Sequence, residues 1–160
     1  MQARRRRPTA SLGALAAVLA LSGCERPTPI VTLYSSGTSL HDEALSYCFE
    51  GQDLTREPGT EGACRFDVEG RTPKVLEVRT DEQVLVDVDR EIVEAGWVVV
   101  LRGRQAGQES RLAIRDDEHV ARFTPDFSQS PLITVEVQKL ERPAEDARPT
   151  GIWQFTIVEG

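Results

Sequence analysis

Residues 132–140 read LITVEVQKL. Ile133, Val135 and Val137 fall on one side of an extended chain and Thr134, Glu136 and Gln138 on the other, the period of two expected of a half-buried β-strand. Working outward, residues 152–158 repeat the pattern with Trp153, Phe155 and Ile157 on one face. In residues 83–89, Val84, Val86 and Val88 share a face while Asp87 and Asp89 point the other way. Residues 97–101 (WVVVL) are apolar on both faces, as a central strand would be. Residues 90–95 (REIVEA) predict a single helical turn, with Asp89 as N-cap and Gly96 as terminator.

The remaining segments are short. Residues 30–34 (IVTLY) predict a first strand and 35–39 (SSGTS) a turn, whereas 43–49 suit a strand or a helical turn equally. Thr80-Asp81-Glu82 between segments 74–79 and 83–89 suggests a hairpin. Segments 108–114 and 119–124 flank the charged turn 115–118, and 141–151 is a loop carrying Pro143 and Pro149. Seven or eight short strands with no long helix predict an all-β fold, an antiparallel immunoglobulin-like β-sandwich with Trp97 as a core tryptophan. Cys48 and Cys64 do not straddle Trp97, so the likeness to antibody domains is one of architecture only.

The N-terminus has a different composition. Arg4 to Arg7 form a basic region, residues 11–21 (SLGALAAVLAL) an apolar one, and Leu21-Ser22-Gly23-Cys24 follows. An apolar run of about eleven residues is well short of the ~20 that span a bilayer, and its flanks suit a cleaved secretory signal. Arg6-Arg7 is followed by Pro8-Thr9 rather than an apolar pair, which argues against twin-arginine export. The last four residues resemble the lipobox of bacterial lipoproteins, which implies a diacylglyceryl group on the Cys24 thiol and cleavage just before it. The domain organisation expected is a signal peptide over 1–23, the lipidated cysteine and a proline-rich tether over 24–29, and one domain over 30–160. The protein would then be lipid-anchored at the cell membrane and face its extracytoplasmic side.

Removing 23 of 160 residues leaves 137, enough for a single domain with a core. The segment lost carries four arginines and no acid, so the formal charge falls from −7 to −11. An acidic domain is a poor match for nucleic acid, and no nucleic-acid partner is expected. A diacylated cysteine supplies the two chains that stable anchoring takes. Two lysines against seventeen arginines, and no asparagine, suit a GC-rich genome. With Cys24 lipidated, Cys48 and Cys64 remain as an even pair in an exported protein, and a disulfide is expected.

Residues that carry chemistry are sparse. His41 and His119 are the only histidines, and Gly37-Thr38-Ser39-Leu40-His41 lacks the second glycine of a nucleophile elbow. Asp87 with Asp89, and Asp116-Asp117-Glu118, present oxygen ligands of the kind calcium takes, and a solvated outer face accounts for both groups. No catalytic residue, metal ligand or cofactor other than the lipid on Cys24 is assigned.

Tyr47-Cys48-Phe49-Glu50-Gly51 with Cys64, then the segment 86–97 (VDVDREIVEAGW), and the ending 155–160 (FTIVEG) resemble an actinobacterial lipoprotein family of unknown function. That resemblance implies location and a sandwich fold and supplies no catalytic residues. The functional expectation is a non-enzymatic binding or interaction module of the cell envelope whose partner is an envelope protein, met through the loops at 49–63 and 141–151. The alternatives are a small-ligand or calcium-binding receptor, or an enzyme with an unrecognised site.

Overall fold

Alternating apolar residues close two sheets over a common core. The computed structural model describes residues 27–49, 54, 64–66, 71–105 and 107–160. The signal peptide, Cys24, the first two residues of the tether and nearly all of the 49–63 loop lie outside the described residues. The elements run β1 (Ile30–Ser35), β2 (Thr38–Glu43), β3 (Ser46–Cys48), β4 (Cys64–Phe66), β5 (Lys74–Val78), β6 (Val84–Val88), α1 (Arg90–Val93), β7 (Trp97–Arg102), β8 (Glu109–Arg111), β9 (Val120–Phe123), β10 (Leu132–Leu140) and β11 (Pro149–Glu159). One sheet has the order β2-β1-β6-β9 and the other β4-β3-β11-β10-β7-β8, with β5 also on β11. The all-β sandwich expected from the sequence is the fold.

The core follows the pattern read from residues 132–140. Ile133, Val135 and Val137 pack with Trp153, Phe155 and Ile157 from one sheet against Val31, Leu33, Val84, Val86 and Val88 from the other. The WVVVL strand is central and buried on both faces. Trp97 and Val99 face the main core, while Val98 and Val100 join Leu140 and Ala147 in a second cluster beneath the 141–148 loop. Gly96 ends the helical turn at φ +86° and lies against Pro143, where a Cβ would come within 2.9 Å of the proline.

Several expectations are corrected. Segments 74–79 and 83–89 do not form a hairpin: β5 pairs with β11 and β6 with β1 and β9, so the 79–83 turn carries the chain from one sheet to the other. Leu76 and Val78 therefore face Val84, Val86 and Val88 across the core, and period-two alternation is the same whether two strands lie side by side or face to face. The β5–β11 pair is also parallel, the exception in an otherwise antiparallel set of described pairings. Eleven described strands stand where seven or eight were expected, because β3, β4 and β8 have three residues each and β2 is mostly polar. β2 follows β1 through a two-residue hairpin, Ser36 and Gly37 both taking positive φ.

Other differences are local. Segments 108–114 and 119–124, on either side of the 115–118 turn, contribute β8 and β9 to different sheets. Asp89 occupies the N-cap position, but its side chain makes no cap bond and accepts the Ile30 N–H at 2.7 Å instead. β11 begins at Pro149, inside the segment read as loop. The end of the tether is docked: Thr28 is buried, its hydroxyl accepts Ala44 N–H, and Pro29 O accepts Trp153 Nε1–H at 2.9 Å.

Candidate functional site

A sandwich has two seams where the edges of its sheets meet, and here they differ. At the seam between β2 and β5, Lys74 Nζ donates to His41 O at 2.6 Å and lies 3.4 Å from Asp42 Oδ1. Arg71 donates to the same oxygen at 2.5 Å. Asp42 is nearly buried, and a carboxylate withdrawn from water is stable only when paired in this way.

The seam between β8 and β9 is closed over part of its length. Trp97 and Arg115 exchange both backbone hydrogen bonds (2.8 and 2.9 Å), and Trp97 Nε1 donates to Glu118 O at 2.9 Å. Toward the other end of the strands the seam opens into a cleft of about 400 Å³. Leu101 and Ile133 give it apolar surface. One wall is the β7–β8 turn, with Gly103, Gln108 and Ser110. The other is the β9–β10 connection, with Thr124, Asp126, Gln129 and Ser130.

Each wall has a local cause. Gly107, at φ +90°, lets the β7–β8 turn close, and Gly103 N–H donates to Gln108 O at 2.8 Å. Gln108 folds its side chain over Gly103, a position that a Cβ would obstruct. Ser130 is buried and structural: its hydroxyl donates to Leu132 O at 2.5 Å and accepts Arg104 N–H at 3.3 Å, tying the two walls together. Gln108 Nε2 donates across the cleft to Gln129 Oε1 at 3.3 Å. Asp126 accepts Ser128 N–H at 3.0 Å. The Ser128 hydroxyl, and then that N–H, hold its exposed carboxyl below the usual carboxylate range.

Glu109 at the rim is already engaged, accepting Arg102 Nε–H at 3.0 Å, and Arg102 also binds the buried Glu136. Burial works against the Arg102 charge, but the bonds to Glu136 and Glu109 outweigh it and raise the guanidinium above its ordinary value. Thr124, Gln108, Gln129 and Asp126 thus present hydroxyl, amide and carboxylate groups over an apolar patch, and no lysine or arginine is among the lining residues.

The residues singled out in the sequence lie elsewhere. His41 pairs with Thr32 on the outer edge of the small sheet, and His119 Nδ1 lies 3.0 Å from Val88 O. Asp87 is on the outer face of the small sheet and pairs with Thr32 and Val120. Asp116 and Asp117 are exposed in their turn, and Glu118 pairs with Arg115. Among the described residues no three of His, Cys, Asp and Glu are grouped to hold a metal ion. Cys48 and Cys64 form the disulfide, bridging the adjacent strands β3 and β4. Gln108, Thr124, Asp126 and Gln129 carry no motif in the sequence.

The cleft and the point where the chain enters are at opposite ends of the strands. Ile30 pairs with Glu43 and bonds Asp89 at the end that also holds Gly96, Leu140 and the 141–148 loop. Ser35, Phe123, Arg102 and Leu132 mark the other end, where the cleft opens. No family model, curated protein or solved structure matches the chain.

Proposed function

We propose that the protein is a lipoprotein anchored through Cys24 on the extracytoplasmic face of the cell membrane, and that it is a non-enzymatic binding module of the cell envelope. Its recognition surface is the open-seam cleft. The observation that carries this reading is the placement of that cleft at the end of the sandwich away from the chain's entry. Cys24 precedes the docked Thr28 by four residues, so their Cα atoms are at most about 14 Å apart. The nine residues of β10 then set the cleft about 27 Å further out along the strands. The 141–148 loop, and the disulfide that closes the base of the 49–63 loop, belong to the entry end and would face the membrane. The recognition surface thus shifts from those loops to the cleft.

The resemblance to an actinobacterial lipoprotein family, the signal-like N-terminus and the disulfide of an exported protein support the anchor. Mass spectrometry of the mature chain tests it: an N-terminal diacylated Cys24 is expected, and an unmodified Cys24 would overturn the localisation. A photocrosslinking residue placed at Gln129 on intact cells should capture a recurrent envelope component, and the same residue at Arg142 should not. Capture from Arg142 alone would move the recognition surface back to the membrane end.

A further inference from the structure

The lining of the cleft restricts what it can bind, given that it is the recognition surface. We infer that it takes a neutral polyhydroxylated ligand, one or two sugar rings in size. A volume of about 400 Å³ lies within the range of small-molecule sites. Among the described lining residues there is no lysine or arginine, so an anionic ligand would meet the Asp126 carboxylate with no lining cation to balance its charge.

A cationic ligand finds little more. Glu109 is satisfied by Arg102, and Asp126 is fully solvent-exposed, where an ion pair adds little. An added peptide strand would have to extend β8 or β9, edges of three and four residues that carry Glu109, Arg111 and Arg122; short, charged edges resist such pairing.

Hydroxyl groups match what is left. A sugar hydroxyl both donates and accepts, as do Thr124, Ser110 and the carboxamides of Gln108 and Gln129. Asp126 accepts only, and so asks the ligand for a donor. The Gln108–Gln129 bond, at 3.3 Å, is long enough to yield its partners to a ligand at small cost. The half-buried Leu101 offers apolar surface on which the C–H face of a ring rests.

The mature lipidated chain in detergent is screened against a panel of neutral mono- and disaccharides, with uronic acids, spermidine and hexalysine alongside, and hits are titrated by calorimetry. At least one neutral saccharide should bind. Gln129→Ala and Thr124→Ala should each weaken it about tenfold, with melting temperatures unchanged. No neutral saccharide bound at millimolar concentration, or binding indifferent to both substitutions, would overturn the inference. So would hexalysine or spermidine binding in preference and being lost with Asp126→Asn. The Gln129 crosslink reads separately: capture without saccharide binding leaves the cleft as the recognition surface and rejects only the ligand class.

Discussion

The two ends of this sandwich share their strands and differ in what fills them. At the entry end, Tyr47 and Trp153 are fully buried edge to face, and Trp153 reaches the chain entry through Pro29 O. Tyr47 donates its hydroxyl hydrogen to Glu91 Oε1 and accepts from Lys139 Nζ, both at 2.7 Å, so three elements meet at one phenol. The disulfide closes the same end. At the cleft end the aromatic rings of Phe123 and Phe127 turn into the core, and the surface left is mostly glycine, serine, threonine and glutamine, with two carboxylates and two aliphatic side chains. Large side chains with committed polar tips make one end solid. Small or amide side chains, with the Gln108–Gln129 bond at 3.3 Å between them, leave room at the other. Binding and stability are thereby assigned to different residues, and that separation can be tested.

The largest effect is expected from Trp153→Ala. It removes a fully buried ring and leaves Pro29 O without its donor, so a loss of about 3–5 kcal/mol is expected in chemical denaturation. Replacing both Cys48 and Cys64 by serine should cost about 3 kcal/mol, the chain-entropy value for a loop of this length. Gly96→Ala should cost about 1–3 kcal/mol, because the alanine would have to hold a left-handed φ and its Cβ would press on Pro143. By contrast, Gln129→Ala at the cleft should change stability by no more than about 0.5 kcal/mol. A Gln129 effect as large as that of Gly96 would mean that the two ends are not separated.

What was legible in the sequence follows the same division. Strands buried on one face, such as 132–140, or on both, such as 97–101, carry their address in their own periodicity. The sandwich and its central strand could therefore be read directly. Pairing could not, because alternation in 74–78 and 84–88 specifies a face and not a neighbour. β2 was hidden by its polar TSLHDE composition, the natural content of an exposed edge. The cleft was invisible for a further reason. Residues 101, 108, 124–130 and 133 meet only because β8 and β9 end on different sheets, and no local pattern encodes that meeting. The docking of Thr28 was likewise hidden, since a buried threonine in a Pro-rich segment is identified only by the Ala44 N–H it accepts.

The finest distinction between the ends is electrostatic, and it turns on two exposed aspartates. At the entry end, the Asp146 carboxyl lies below its ordinary value, first because Arg142 donates to it and then through that residue's charge. At the cleft end, the Asp126 carboxyl is lowered by the neutral Ser128 hydroxyl and N–H. Both are depressed in the folded state, so both contribute stability that is present above the unfolded carboxylate range. That contribution is lost as pH falls through the folded pKa. Their response to salt should differ. One molar salt shortens the screening length to about 3 Å, which weakens a solvent-exposed ion pair and leaves a dipolar hydrogen bond nearly untouched. Acid titration of the side-chain carboxyl carbons by NMR, at low and high salt, should move Asp146 back toward its ordinary value and leave Asp126 where it was. Ser128→Ala should raise Asp126 at either ionic strength. Equal salt shifts at the two positions would show that Asp126 senses a charge and that the Ser128 bonds alone do not set its titration.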